Sequence, residues 1–392
     1  MVDAHALSRL VGEVPAFLES SWGRLPVHVP VDEGQRGPTE LLTIDDVDRL
    51  VASSGLRAPA FRLVKRGRTL PQSSVTRSVR IGSRPVSDLV DVSAVHRAVG
   101  DGATLVLQGL HRSFAPIAAF CRDLERTLTH PVQANAYLTP PVAQGLDLHE
   151  DPHDVFAVQT YGTKRWVVHP PDGGEPWDLH LEPGDVLYLP RGTRHAAQTV
   201  GEPSLHLTLG IRTVTWRQLV ERAVAEAVAT GDDLDRPLPA GWAEQPQQLE
   251  AELTVQVAEL VARLGARPDL VGVLDREAER FWTSQPPDLT GGLRDLLELD
   301  EIEDRTRLRR REPTNARVRA GDDHVELVLG DRRLRMPATV EPALRRVVEL
   351  GALRPADLEE LMDAPSRLVL CRRLVREGLL TVERPDRGAT GG

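Results

Sequence analysis

Two short segments of this 392-residue chain hold metal-ligating side chains at useful spacings. The first is Leu-His149-Glu-Asp151. Residues two apart on an extended strand face the same way, so His149 and Asp151 project together and Glu150 turns away. The second runs Gly184-Asp-Val-Leu-Tyr-Leu-Pro190-Arg-Gly192-Thr-Arg-His195. It reads as a strand that begins at a Gly-Asp turn and ends in a Pro-x-Gly bend presenting His195. Two imidazoles and one carboxylate can cap one face of an octahedral ion and leave three positions for other ligands. That donor set is expected of a non-haem Fe(II) oxygenase. It also suits hydrolytic zinc. The His-x-x-x-His helix of many zinc hydrolases is missing, and His-x-Asp on a strand with a distant histidine favours iron. A lone histidine near a turn is usually just solvated, and a lone His-x-Asp arises by chance, so the signal is the pair of segments. His153 shares the parity of His149 and Asp151 and stays open as an alternative ligand. Asp154 has the opposite parity and is expected to act structurally.

An Fe(II) centre with open positions suits 2-oxoglutarate, which chelates iron through its 1-carboxylate and 2-keto oxygen. Its 5-carboxylate then needs a buried cation some distance away. Lys164 is the candidate, because it shares parity with Trp166 and Val168, whereas Arg165 points the other way. The bland alternative is a solvated hairpin residue. The chain has only two lysines, Lys65 and Lys164, so a generic surface cation here would be arginine. Eight of the twelve histidines fall between His111 and His206, which concentrates any chemistry there.

These residues need a scaffold of strands. Short apolar runs punctuated by Gly and Pro fill residues 1–213: 103–110, 155–171, 184–190 and 204–214. They predict a mainly β domain, with helices over 44–53 and 114–128. Helices first and closely spaced strands after favour a sandwich or barrel over a doubly wound sheet. After Thr213 the apolar spacing becomes helical, over 216–231, 248–265 and 270–282. Such amphipathic helices must bury their apolar faces, so 214–285 is expected to be a helical dimerisation region. Residues 286–392 offer a hairpin with a Gly-Asp turn at 324–337, then three helical patterns and a short strand, the plan of a winged helix. DNA binding is disfavoured there because charges nearly balance.

Composition bounds the rest. The net charge is −10 and the pI about 5.7, a poor starting point for a nucleic-acid binder and a better one for a basic partner. No apolar run is long enough to span a membrane. Two distant cysteines, Cys121 and Cys371, exclude a disulfide framework and fit a reducing cytoplasm.

At the chemistry-bearing residues the sequence resembles the bacterial cupin-type, JmjC-like ribosomal oxygenases. The matching stretches are NAYLTPPVAQGLDLHEDPHDVFAVQTYGTKRW, LEPGDVLYLPRGTRHAAQT and SLHLTLG, with weaker likeness upstream in FLESSWGRLPVHVP and DGATLVLQGLH. The resemblance implies an α+β fold: a double-stranded β-helix (cupin/JmjC barrel, 1–213), a helical dimerisation region (214–285) and a winged-helix-like end (286–392) not used for DNA. It implies that His149, Asp151 and His195 hold Fe(II) and that Lys164 pairs with the 5-carboxylate of 2-oxoglutarate. It sets Asn135 and Tyr137 near the co-substrate and the substrate cleft. The implied activity is hydroxylation of arginine or histidine in a protein substrate such as a ribosomal protein. Asp147, Glu150 and Asp154 are candidate contacts for a cationic substrate side chain. Other readings stay open: the same chemistry on a peptide or small-molecule natural product, lysine demethylation, a non-catalytic binding cupin, and a DNA-binding regulator.

Overall fold

Strand burial sets the architecture: residues 132–137 and 164–169 alternate in burial, whereas 154–160 and 186–189 are buried on both faces. The structure, a computed structural model, describes residues 5–31, 37–141, 146–199, 201–229, 232–266, 270–284, 287–311 and 316–384. Its contacts divide the chain into two units, Met1–Thr213 and Val214–Gly392.

The first unit contains β1 (Val27–Val29), β2 (Phe61–Lys65), β3 (Arg68–Thr69), β4 (Thr76–Ile81), β5 (Arg84–Val90), β6 (Thr104–Gln108) and β7 (Val132–Thr139). After these come β8 (Leu146–His149), β9 (Asp154–Tyr161), β10 (Lys164–His169), β11 (Trp177–Leu181), β12 (Val186–Leu189), β13 (Arg194–Thr199) and β14 (Ser204–Ile211). Eight strands form one antiparallel sheet in the order β1-β12-β9-β14-β7-β6-β2-β3, and four form another in the order β11-β10-β13-β8. The expected apolar run 155–171 is thus two strands, β9 in the larger sheet and β10 in the smaller, and the chain crosses between them at Gly162, whose φ of +60° lets the backbone pass close to Pro203.

One face of the larger sheet is covered by helices. Leu7, Leu10, Phe17, Ile117 and Leu124 pack with Phe156, Val158, Leu207 and Leu209 in a single buried cluster. The helices at Ile44–Ser53 and Ala115–Leu128 agree with the expected spans. Those at His5–Val11, Val14–Ser20 and Val92–Gly100 were not anticipated, being too short for a clear helical period. The opposite face of the sheet meets the four-stranded sheet, where Ala157, Leu187 and Leu189 pack with Trp166, Val168, Leu181 and Ala197.

Buried polar ties fix the turns. Asp185, next to Gly184 (φ +107°), accepts backbone hydrogen bonds from Val31 (2.9 Å) and Glu182 (3.0 Å). Asp154 is fully buried; its carboxylate accepts from the Tyr188 hydroxyl at 2.5 Å and from the Arg191 backbone N–H at 3.1 Å. That burial excludes Asp154 as a substrate contact and fits the structural role its parity suggested.

In the second unit, helices run over Trp216–Ala229, Glu250–Ala266 and Leu270–Thr283. The expected hairpin appears as His324–Leu329 with Arg332–Pro337, and the strand Ala316–Ala320 extends it to three strands. Helices follow at Glu341–Glu349 and Ala364–Arg376, then the strand Leu380–Val382. The middle helical pattern is only a 3-10 turn, Pro355–Leu358. Tertiary contact decides so short a segment, and this turn is held by Ala356 N–H donating to the Asp304 carbonyl. Asp295, fully buried, ties the unit together through Arg311 (2.5 Å), Arg384 (2.7 Å) and Thr381 (2.7 Å). Among the described residues no helix is long and apolar enough to cross a membrane.

Asp154→Ala strips the buried Tyr188 hydroxyl and the part-buried Arg191 N–H of their acceptor. The expected loss is about 3 kcal/mol in urea unfolding of the full chain. A loss below about 1 kcal/mol would show that the Asp154 tie contributes no more than an ordinary exposed contact.

Candidate metal centre

The first unit's two sheets enclose a cavity. The four-stranded sheet contributes His149, Lys164, Trp166, His195 and Ala197, Asp151 follows β8, and the larger sheet contributes Val64, Thr104, Tyr137, Thr139, His206 and Thr208. His195 on β13 is directly paired with His149 on β8, so two imidazoles stand side by side with ring centroids 4.4 Å apart. Asp151 lies past the end of β8, and its carbonyl accepts a hydrogen bond from the Gly192 N–H at 2.9 Å. Gly192 has a φ of +77°, the left-handed conformation expected of the Pro-x-Gly bend. Together with Asp154 holding Arg191, this bond joins the His-x-Asp segment to the bend that presents His195.

Each histidine is oriented through its Nδ1. That of His149 lies 2.7 Å from the Asp147 carbonyl and that of His195 lies 2.9 Å from the Thr193 carbonyl. A carbonyl only accepts, so both Nδ1 atoms carry the proton and both Nε2 lone pairs are left to bind. The His195 Nε2 is 3.8 Å from Asp151 Oδ2, and one ligand atom from each of the three residues lies within 4.8 Å of the others. An ion with bonds of about 2.1 Å draws cis donors to about 3 Å apart, so the side chains must close by an ångström or so. Burial holds the His195 imidazolium below its ordinary pKa, with the charge of His149 adding to the effect, which favours the neutral form a metal requires. The residues fit a metal of the two-histidine, one-carboxylate type.

Lys164 lies in the same cavity, only 3% exposed. Its ammonium donates to Thr139 Oγ1 at 3.3 Å and lies 3.3 Å from His206 Nδ1. Burial pushes Lys164 down to about 7, and burial followed by the Lys164 charge pushes His206 well below its usual value. Neutral His206 therefore accepts at Nδ1. Thr139 Oγ1 also accepts from Thr104 at 3.4 Å, so its own proton remains to be donated. One ammonium N–H and one hydroxyl are thus left for an anionic ligand. Among the described residues no carboxylate pairs with Lys164. A second donor is orphaned in the lining: the buried Trp166 Nε1 has no hydrogen-bond partner. Arg165 points outward to Asp178 at 2.7 Å, as strand parity required.

Tyr137 lines the cavity, its ring stacked on His206 with centroids 4.8 Å apart. Burial raises its pKa, the Asp151 charge adds to the rise, and Arg62 opposes it. Asn135 shares that face of β7 but does not line the cavity; its Oδ1 accepts from the Gly109 N–H at 3.1 Å. His153 is absent from the three-residue cluster and covers Gly210, where an added β-carbon would come within 2.8 Å of its ring. Asp147 acts on the site through its carbonyl, and Glu150 is exposed. Sequence reasoning missed Thr139 and His206. The available signal was alternation in Ser-Leu-His206-Leu-Thr208-Leu, which sets polar residues on one face of an otherwise apolar strand.

Residues 110–176 and 173–219 match the family model described as the JmjC domain. Ribosomal oxygenase 1 of Rattus norvegicus is 33% identical over 214 residues, 46% of this chain and 36% of that protein. The bifunctional lysine-specific demethylase and histidyl-hydroxylase NO66 of Aedes aegypti is 31% identical over 189 residues, 40% of this chain and 30% of that protein. The matches thus span about a third of the length of these curated relatives. Among solved structures, YcfD, a ribosomal oxygenase from Escherichia coli in complex with cobalt and succinic acid, has a TM-score of 0.52 at 22% identity, covering 96% of this chain and 99% of that one. The complex of the same protein with cobalt and 2-oxoglutarate has a TM-score of 0.51. Residues 110–219 thus match the JmjC domain, in a chain that resembles the ribosomal oxygenases in sequence and shares the α+β fold of one of them over nearly its whole length.

Proposed function

We propose that this chain is an Fe(II)- and 2-oxoglutarate-dependent oxygenase that hydroxylates an arginine or histidine side chain of a protein such as a ribosomal protein. The observation that carries the reading is one cavity holding both a two-histidine, one-carboxylate cluster and a buried lysine with no carboxylate partner among the described residues. His149, Asp151 and His195 would hold the iron, which supplies oxygen activation coupled to decarboxylation of 2-oxoglutarate to succinate. Lys164 and Thr139 would bind the distal carboxylate, and His206 would keep the ammonium in place. Trp166 and Val64 help to wall the cavity from water. Tyr137 would border the substrate side chain. Asn135 would shape that cleft from behind, through the Gly109 turn.

The protein substrate is supported by the likeness to ribosomal oxygenases, and a histidine target by the histidyl-hydroxylase among the relatives. Exposed Asp147 and Glu150 beside the metal cluster suit a cationic residue. The lysine-specific demethylase in that same relative's name supports a second outcome at the same site, which formaldehyde release would reveal. For the second unit, we read 214–285 as a homodimerisation region, supported by exposed Trp216, Leu253, Val261 and Val271 on its helices, and 286–392 as a winged-helix-like end. We read the location as cytoplasmic, supported by the free, buried Cys121 and Cys371.

A turnover screen with iron, 2-oxoglutarate and ribosomal-protein peptides should give succinate and a peptide heavier by one oxygen atom. Asp151→Ala and His195→Ala should each retain the fold by circular dichroism yet lose bound iron and succinate formation; full turnover in either removes the cluster from the mechanism. Lys164→Ala should weaken 2-oxoglutarate by about 3 kcal/mol, roughly 100-fold, with iron affinity little changed. Because the free lysine titrates at about 7, the carboxylate meets an ammonium below that pH and must draw in a proton above it. Affinity should therefore fall as pH rises past 7, by up to about tenfold per unit. Calorimetry in buffers of different ionisation enthalpy should show proton uptake at pH 8; no uptake and a flat profile would contradict the assignment.

A further inference from the structure

Charge is spread unevenly along this acidic chain. No aspartate or glutamate occurs between Asp48 and Asp88, whereas basic residues recur throughout. The stretch includes two hairpins. The first, β2–β3, carries Lys65, Arg66 and Arg68 around a turn in which Arg66 (φ +52°) and Gly67 (φ +71°) are both left-handed. Val64 of this hairpin lines the cavity, and a β-carbon added to Gly67 would lie 3.3 Å from Asp147 Oδ2. The turn is thus part of the rim beside the strand that carries His149. The second hairpin, β4–β5, is a two-stranded ribbon outside the larger sheets. Its base is tied to the chain ahead of β2, by Ala58 N–H to Asp88 O (3.0 Å) and Val90 N–H to Leu56 O (2.9 Å). Along it Arg77, Arg80 and Arg84 are exposed.

The Asp147 carboxylate stands beside the Gly67 turn, without an ion pair among the described residues. Other arginines of the unit sit in ion pairs, such as Arg9–Glu40, Arg49–Asp46 and Arg165–Asp178, and at the ribbon's base Arg57 pairs with Asp88. Among the described residues no carboxylate pairs with either group of three, Lys65, Arg66 and Arg68 or Arg77, Arg80 and Arg84. The net charge of −10 does not cancel this excess. At about 0.1 M salt the screening length is about 10 Å, so acids on the far side of the molecule contribute little at the hairpins.

We propose that the two basic hairpins, the first of them at the cavity rim, dock the phosphate backbone of folded RNA; the choice of RNA rests on the ribosomal-protein reading above. Chemistry favours a phosphate polymer over an acidic protein. Protein interfaces draw their energy from aromatic and apolar anchors, and Ile81 is the exposed large hydrophobic residue on this surface. Phosphate contacts need charge alone. The one aromatic residue between Asp48 and Asp88 is Phe61, and it is buried. With no ring to stack on bases, the surface suits double-helical RNA held through its backbone, without sequence preference. RNA bound there would keep a ribosomal protein's side chains close to the rim.

The test is fluorescence anisotropy with the full chain, a labelled RNA hairpin, duplex DNA and polyglutamate, over a range of salt concentrations. A triple variant, Arg77→Gln, Arg80→Gln and Arg84→Gln, changes exposed residues that belong neither to the cavity lining nor to the metal cluster. The expected result is RNA affinity roughly tenfold or more weaker in the variant at low salt, with the salt slope reduced by about 3. Succinate formation without RNA should be unchanged in that variant. Binding is read without iron, 2-oxoglutarate or turnover, so a failed hydroxylation screen leaves this measurement standing. RNA affinity unaltered by the variant, or tighter binding of polyglutamate or duplex DNA than of RNA, would overturn the proposal.

Discussion

The site depends on one backbone constraint: the locking of the His149 strand end against the bend that presents His195. Direct pairing of the two residues across β8 and β13 brings the imidazoles together, and the Gly192 N–H on the Asp151 carbonyl sets how far the carboxylate can stray. Asp154 repeats the tie one turn of chain later, with Tyr188 behind it. The geometry of a metal face here needs no long loop. It follows from a register, a left-handed glycine and a buried carboxylate, and the imidazole tautomers are fixed by two carbonyls rather than by the ion.

A second consequence of the same sandwich is the buried ammonium. Its strand pairs with the one that bears His195, so Lys164 faces the inner space with Trp166 and Val168. An unpaired ammonium in such a place is expensive, which is why it titrates near neutrality when free. Thr139 and His206 hold it without supplying a negative charge. The cavity therefore has a neutral-to-positive distal end and a carboxylate-bearing metal end, a polarity that matches a dicarboxylate chelating at one end and pairing at the other.

Much of this was legible in the sequence because strand parity is a local rule. Lys164 faces inward as parity required and stands out where lysine is otherwise nearly absent, and His195 follows a Pro-x-Gly bend; Asp151 joins His149 although it lies past the end of β8. Parity failed where the strand stopped. His153 follows two residues after Asp151, but β8 ends at His149, and the ring turns onto Gly210 instead. Thr139 and His206 were not legible because their meeting depends on the pairing of β7 with β14, a long-range register. Asn135 shares the face of Tyr137, yet the cavity ends before reaching it. In the second unit the expected middle helix shrank to a 3-10 turn because tertiary contacts, not helical propensity, decide so short a segment. Net charge is an average, and it does not display the acid-free stretch of two hairpins.

The central claim is that three side chains share one ion while Lys164 receives the far carboxylate of 2-oxoglutarate. The most direct measurement is an anaerobic crystal structure of the iron-loaded protein with 2-oxoglutarate, with the metal located by anomalous scattering at the iron edge. The account predicts a single peak bonded to His149 Nε2, Asp151 and His195 Nε2, and a ligand reaching from it to the Lys164 ammonium. Iron bound elsewhere, or 2-oxoglutarate lying away from Lys164, would contradict it.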